Sequence, residues 1–134
     1  MKNKIFLAIL FFLSLLIVFL NFFAGEYFWY WRFWWFDLVM HFIGGISVAL
    51  LVFYLHKIFE LEKKVDIISF ILFVTVTIAI LWEIMEFLID ANLFSGNYFF
   101  DTLTDIFSAL TGASIISVLS NKIKIEIHNK KPSV

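Results

Sequence analysis

Four runs of apolar residues, at about 5–23, 38–58, 67–89 and 103–119, are separated by shorter polar or aromatic stretches. Each is close to the ~20 residues that an α-helix needs to cross about 30 Å of hydrocarbon. The runs lack the two-residue alternation of a barrel strand, and lipid admits only helices or closed barrels as spanning structures. The pattern predicts an all-α integral membrane protein, a single membrane domain over residues 1–134 with four transmembrane helices and a tail at 120–134. The one proline, Pro132, lies in that tail, so no span requires a proline kink. The first run follows "MKNK", a basic start that a cleavable signal peptide would share. Its apolar stretch is long for such a peptide and "NFFAGEYF" lacks a small-x-small cleavage site, so a retained signal anchor is expected.

Composition removes the soluble alternative. The chain is 63% hydrophobic, with a mean hydropathy of +0.97, against roughly 45–50% apolar residues in ordinary globular domains. The absence of cysteine excludes disulfides and thiolate chemistry. The formal charge of −1 gives no reason to expect nucleic acid, and no glycine-rich phosphate loop is present.

Lysine placement predicts the orientation. Nine of the ten basic residues fall in the N-terminus (Lys2, Lys4), the middle loop (Lys57, Lys63, Lys64) and the tail (Lys122, Lys124, Lys130, Lys131). With four spans these segments share one side, which the positive-inside rule assigns to the cytoplasm. Both termini are therefore expected in the cytoplasm and the spans in the cell (inner) membrane. The outer loop "GEYFWYWRFWWFD" then reads as an aromatic belt at headgroup depth, or as a platform on which Arg32 reaches a substrate phosphate.

Seven of the eleven acids (Glu26, Asp37, Glu83, Glu86, Asp90, Asp101, Asp105) lie on the outer side, opposite the lysines. Asp37 and His41 are spaced i,i+4; Glu83, Glu86 and Asp90 i,i+3,i+7; Asp101 and Asp105 i,i+4. Each set shares one helix face. At about 1.5 Å rise per residue, His41, Glu86 and Asp105 lie about one turn below the outermost acid of their helix, and Glu83 nearly two. Small residues continue the same faces inward: Gly44 and Gly45, Ala79, Ser108 and Gly112. Such spacing lets helices approach closely in lipid, so the acidic faces are expected to meet in a pocket between spans two, three and four. Asp37 and Asp101, at helix starts, also suit plain N-caps. His56 and His128 read as interfacial or solvated residues.

An acid at mid-span costs about 2.5–3.5 kcal/mol on insertion scales, so these groups are candidates for function. In a shared dry pocket they cannot all be ionised unaided: they hold protons, pair with His41 or Arg32, or bind a cation. Asp37, His41, Glu83, Glu86 and Asp105 form the expected ligand set. Carboxylates with one imidazole suit Mg²⁺, Mn²⁺ or Fe²⁺, with Zn²⁺ also compatible. The candidates for a catalytic carboxylate are Glu83, Glu86 and Asp101. No activated nucleophile accompanies them, so binding without catalysis stands beside catalysis.

"DLVMHFIGG", "WEIMEFLID" and "DTLTDIFSALTGA" together resemble the signature of the uncharacterised YjdF-like family of bacterial membrane proteins. The order of these polar residues is more distantly similar to VanZ-like proteins, a family linked to glycopeptide-antibiotic resistance. Relatives commonly carry further spans before the Asp-His block, where this chain has one. The resemblance implies that Asp37, His41, Glu83, Glu86, Asp101 and Asp105 are the family's polar positions. The first functional reading is a metal-supported site for a lipid-linked or phosphate-bearing envelope substrate. The alternatives are a proton-linked transporter or permeation subunit, completed by homo-oligomerisation, and a small scaffold or accessory subunit.

Overall fold

The computed structural model describes residues 2–59, 66–90 and 98–129. Among these the chain is helical throughout its elements: α1 (Lys2–Glu26), the short α2 (Trp29–Arg32), α3 (Phe36–Ile58), α4 (Ile67–Asp90) and α5 (Tyr98–Asn129). Four segments are long and apolar enough to cross a membrane: Ile5–Glu26, Phe36–Ile58, Ile67–Ile89 and Tyr98–Ser120. The last begins five residues earlier than the apolar run suggested, because the aromatic turn Tyr98-Phe99-Phe100 joins the helix ahead of Asp101.

That extension changes the role of the acids at the helix starts. Asp37 and Asp101 both lie within the first turn of their helices, one position or more past the cap. There they face the positive end of the helix dipole without capping it. A side-chain cap is present on α4, where Asp66 Oδ2 accepts the Ser69 N–H at 2.9 Å, a bond that satisfies one of the free donors of the first turn.

Helices α3, α4 and α5 form the core of the fold, with α3 and α5 parallel and in closest contact and α4 antiparallel to both. Glycine makes the α3–α5 contact possible. A Cβ on Gly45 would run into the Ala109 backbone, and one on Gly112 into the Phe42 carbonyl, whereas a Cβ on Gly44 would meet nothing within 4 Å. Of the two adjacent glycines, Gly45 alone serves the approach, because a neighbour in a helix points about 100° away.

Each core helix buries one stripe. On α3 it runs through His41, Gly45, Ala49, Val52 and His56, and on α4 through Ile67, Ile71, Thr75, Ala79 and Glu83. On α5 it runs from Asp105 through Ala109 and Ala113 to Ser117 and Ser120. Ala49, Val52, Ile67, Ile71 and Ala113 pack together as an apolar cluster towards the lysine-bearing end.

Helix α1 lies on the outside of α3. Phe6 stacks on Tyr54 with ring centroids 5.5 Å apart, and at the other end Ala24 packs with Phe36 and Met40. Phe28, with φ 57°, turns the chain between α1 and α2. The turn folds Trp29 and Tyr30 edge-on against Phe36, at 5.4 and 5.2 Å.

Candidate functional site

The i,i+4 spacing on α3 brings Asp37 and His41 together, with His41 Nε2 3.6 Å from Asp37 Oδ1. The antiparallel α4 brings Glu83 to the same imidazole nitrogen, with Oε1 3.7 Å away. Both separations exceed hydrogen-bond length. Two triads result, Asp37–His41–Asp105 and His41–Glu83–Glu86, each with one ligand atom per residue within 4.8 Å of the others. His41 belongs to both and so joins side chains from three helices. The faces predicted to meet do converge, and they do so within a single layer.

The layer is deeply buried: His41 is 9% exposed, Glu83 5% and Asp105 1%. Neighbouring hydroxyls hold the walls in place. Ser108 donates to the Leu38 carbonyl at 2.6 Å, tying α5 to α3. Thr102 donates to Glu83 Oε2 at 2.8 Å and Tyr98 to the Glu83 carbonyl at 2.6 Å, tying α5 to α4. Even so, Glu83 Oε1 and Asp105 Oδ2 have no hydrogen-bond partner among the described residues.

The model of predicted membrane proteins designated DUF2238 matches residues 2–125. The chain belongs to the DUF2238 family. This is the family to which the YjdF-like resemblance points. The match contains all three walls of the layer. No curated protein and no solved structure matches the chain.

The DUF2238 layer has the donor chemistry of a hard-cation site. Ionised carboxylates are acceptors only, and each triad contains one unpartnered carboxylate oxygen, Asp105 Oδ2 in the first and Glu83 Oε1 in the second. Ligands on opposite sides of a six-coordinate cation stand about 4–5 Å apart, twice a bond of about 2.0–2.6 Å. The 4.8 Å spread of the two triads lies in the upper part of that range, and a small cation such as Mg²⁺, with bonds of about 2.0–2.1 Å, would draw the side chains slightly closer.

Two of the expected participants stand aside. Arg32 is exposed, makes no ion pair among the described residues, and places its guanidinium carbon 6.0 Å from the Phe33 ring centroid. Asp101 is half-buried and belongs to neither triad. Asp90 closes α4, but its side chain falls outside the described residues, as does that of His128.

Thr102, Tyr98 and Tyr30 were not singled out by the sequence, and His56 was read differently. Thr102 lies inside the "DTLTD" block, and Tyr98 precedes it by four on the same stripe, so helical spacing could have identified both. His56 corrects the interfacial reading: it is 2% exposed, its ring lies 6.2 Å from that of Phe70, and its Nε2 has no partner among the described residues. Tyr30, between the spans, donates to Asn21 Oδ1 at 3.2 Å. Burial, aided by the negative charge of Asp37 and Glu86, pushes its phenol up to about 12.

Proposed function

We propose that this DUF2238 protein is a multi-pass protein of the cytoplasmic membrane, with both termini in the cytoplasm. Its carboxylate–imidazole layer faces the outer leaflet, holds one divalent cation, and binds or acts on a lipid-linked or phosphate-bearing envelope substrate. The observation that carries this reading is the convergence of Asp37, His41, Glu83, Glu86 and Asp105 from three helices, with two buried carboxylate oxygens left unpartnered. Mg²⁺, Mn²⁺ and Fe²⁺ suit so oxygen-rich a set, and Zn²⁺ is compatible with its imidazole.

When bound, such a cation polarises a phosphoryl oxygen or activates water. Asp101, beside the layer and outside both triads, is the carboxylate free to move a proton. Arg32 stands among the aromatic rings of the first outer loop, where its guanidinium suits a phosphate at headgroup depth. The test is metal analysis of the purified protein beside a Glu83→Gln/Glu86→Gln double variant. Bound metal in the first and none in the second is expected; equal, negligible metal in both overturns the reading.

Burial of His56 favours proton-linked permeation as a second reading. His56 and His41 lie on one stripe of α3, and Thr75 lies on the Glu83 stripe of α4. The apolar cluster of Ala49, Val52, Ile71 and Ala113 interrupts that file, which is why the reading ranks second. Proton flux in liposomes that disappears with either Glu83→Gln or His56→Phe would reverse the ranking.

A further inference from the structure

On the side of Glu83 away from His41, α4 and α5 enclose a groove of about 240 Å³. Its α4 wall is Ile80, Ile84 and Phe87, all half-exposed, and its α5 wall includes Ile106. Tyr98 stands at one end, its ring 5.3 Å from that of Phe87. From Tyr98 to Ile106 the groove follows eight residues of α5, about 12 Å along the helix axis. It therefore runs from the end of a span into the hydrocarbon region.

Glu83 forms the partition between this groove and the buried layer. One of its oxygens, Oε2, accepts from Thr102 in the groove wall. The other, Oε1, faces His41 and has no hydrogen-bond partner among the described residues. A single carboxylate that is 5% exposed thus contributes to two compartments, one apolar and open to the side, the other polar and enclosed by three helices. A solute arriving from water has no use for an isoleucine-lined approach at membrane depth. A lipid does, because its chain already occupies that solvent. The volume lies below the roughly 300–1,000 Å³ of pockets that enclose a whole drug-sized ligand, so the groove suits part of one chain rather than a whole lipid.

We infer that the α4–α5 groove is a lateral slot for one hydrocarbon chain of a membrane lipid, which presents its polar end beside Glu83, Thr102 and Tyr98. This deepens the proposed function by assigning its substrate a route through the bilayer, and it rests on that reading only for what happens to the polar end.

The test uses the full chain in liposomes containing phosphatidic acid with a diazirine in the half of one acyl chain nearer the headgroup. After illumination, labelling is expected at Ile84, Phe87 and Ile106 in preference to the more exposed Phe11 and Phe19 of α1. The Ile84→Trp/Ile106→Trp variant should lower slot labelling about tenfold, equivalent to about 1.4 kcal/mol of lost chain contact. Its labelling of α1 should be unchanged, which also shows that the variant is folded in the bilayer. Labelling spread evenly over α1, α4 and α5, or slot labelling indifferent to the tryptophans, overturns the inference. Slot labelling in a protein that binds no Mn²⁺ supports the slot while overturning the metal reading, so the two fail separately.

Discussion

At the acidic end of the three-helix core, His41, Glu83 and Asp105 come from three helices and converge with unpartnered oxygens between them. At the lysine-bearing end the same stripes bury His56, Ser117 and Ser120, but each serine donates to a carbonyl of its own helix, Ser117 to Ala113 and Ser120 to Ser117. A hydroxyl carries its own donor and can be satisfied one turn back. An ionised carboxylate has no donor and finds nothing in the carbonyls around it. The buried serines at one end are thus closed off locally, whereas the carboxylates at the other require something from outside their own helix. Convergence of acceptors, rather than burial, separates a candidate site from a packing layer.

The sharpest way to break that contrast uses the two buried histidines. His41→Ala should weaken Mn²⁺ binding by about 100-fold or more, beyond the 10–100-fold typical of changing an outer-shell partner. His56→Ala should leave the affinity unchanged, as measured by Mn²⁺ titration of the detergent-solubilised protein. Equal losses from both would make the two ends parts of one site.

Next in size is the packing immediately below the acidic layer. Gly45→Ala drives a methyl into the Ala109 backbone and should destabilise by about 1–3 kcal/mol, the usual range for overpacking. Gly44→Ala, with open space around it, should fall within about 0.5 kcal/mol of the parent. Thermal unfolding in micelles separates the pair, and equal shifts would mean that α3 and α5 do not meet through Gly45.

A smaller effect of opposite sign is expected at the lysine end. An unsatisfied buried polar group costs about 1–3 kcal/mol, so His56→Phe should raise stability by about 1 kcal/mol, the lower part of that range. A fall in Tm would reveal a partner for His56 and weaken the contrast.

The smallest effect concerns alkaline pH. The Tyr30 phenol is held protonated up to about 12, while an unfolded chain releases that proton near 10. Below 10 both states are neutral and Tyr30 has no effect on pH dependence. As pH rises from 10 to 12 the unfolded state alone loses the proton, so stability falls. Tyr30→Phe should flatten that part of the profile; an unchanged slope would place the phenol in water.

The four spans were legible because length and apolar content alone decide whether a helix can cross a membrane. The acidic faces were legible because i,i+3 and i,i+4 spacing fixes a face without any knowledge of the partner helix. What could not be read depended on that partner. Gly44 and Gly45 are equivalent in sequence, and only the position of Ala109 distinguishes them. His56 sits beside Lys57 near a helix end, a context that suggests an interface, yet it packs against Phe70 of α4. Arg32 looked like a natural counter-charge for the acids, but its short helix α2 leaves it exposed.

The parallel α3–α5 pairing has a consequence for synthesis of the chain. The two helices that press together most closely are separated by α4, so Asp37 and His41 enter the membrane first and Glu83 and Glu86 follow. The wall carrying Asp105 is still unmade at that point. Translation from Ile58 to Tyr98 covers roughly forty residues, about 2–8 s at 5–20 residues per second. Throughout that interval the earlier acids must be sheltered by water, protons or the insertion machinery, each bearing alone an insertion penalty of up to about 2.5–3.5 kcal/mol. Helix α5 is in this sense the keystone of biogenesis: a nascent chain halted before it would present the quality-control apparatus with charged, half-built spans.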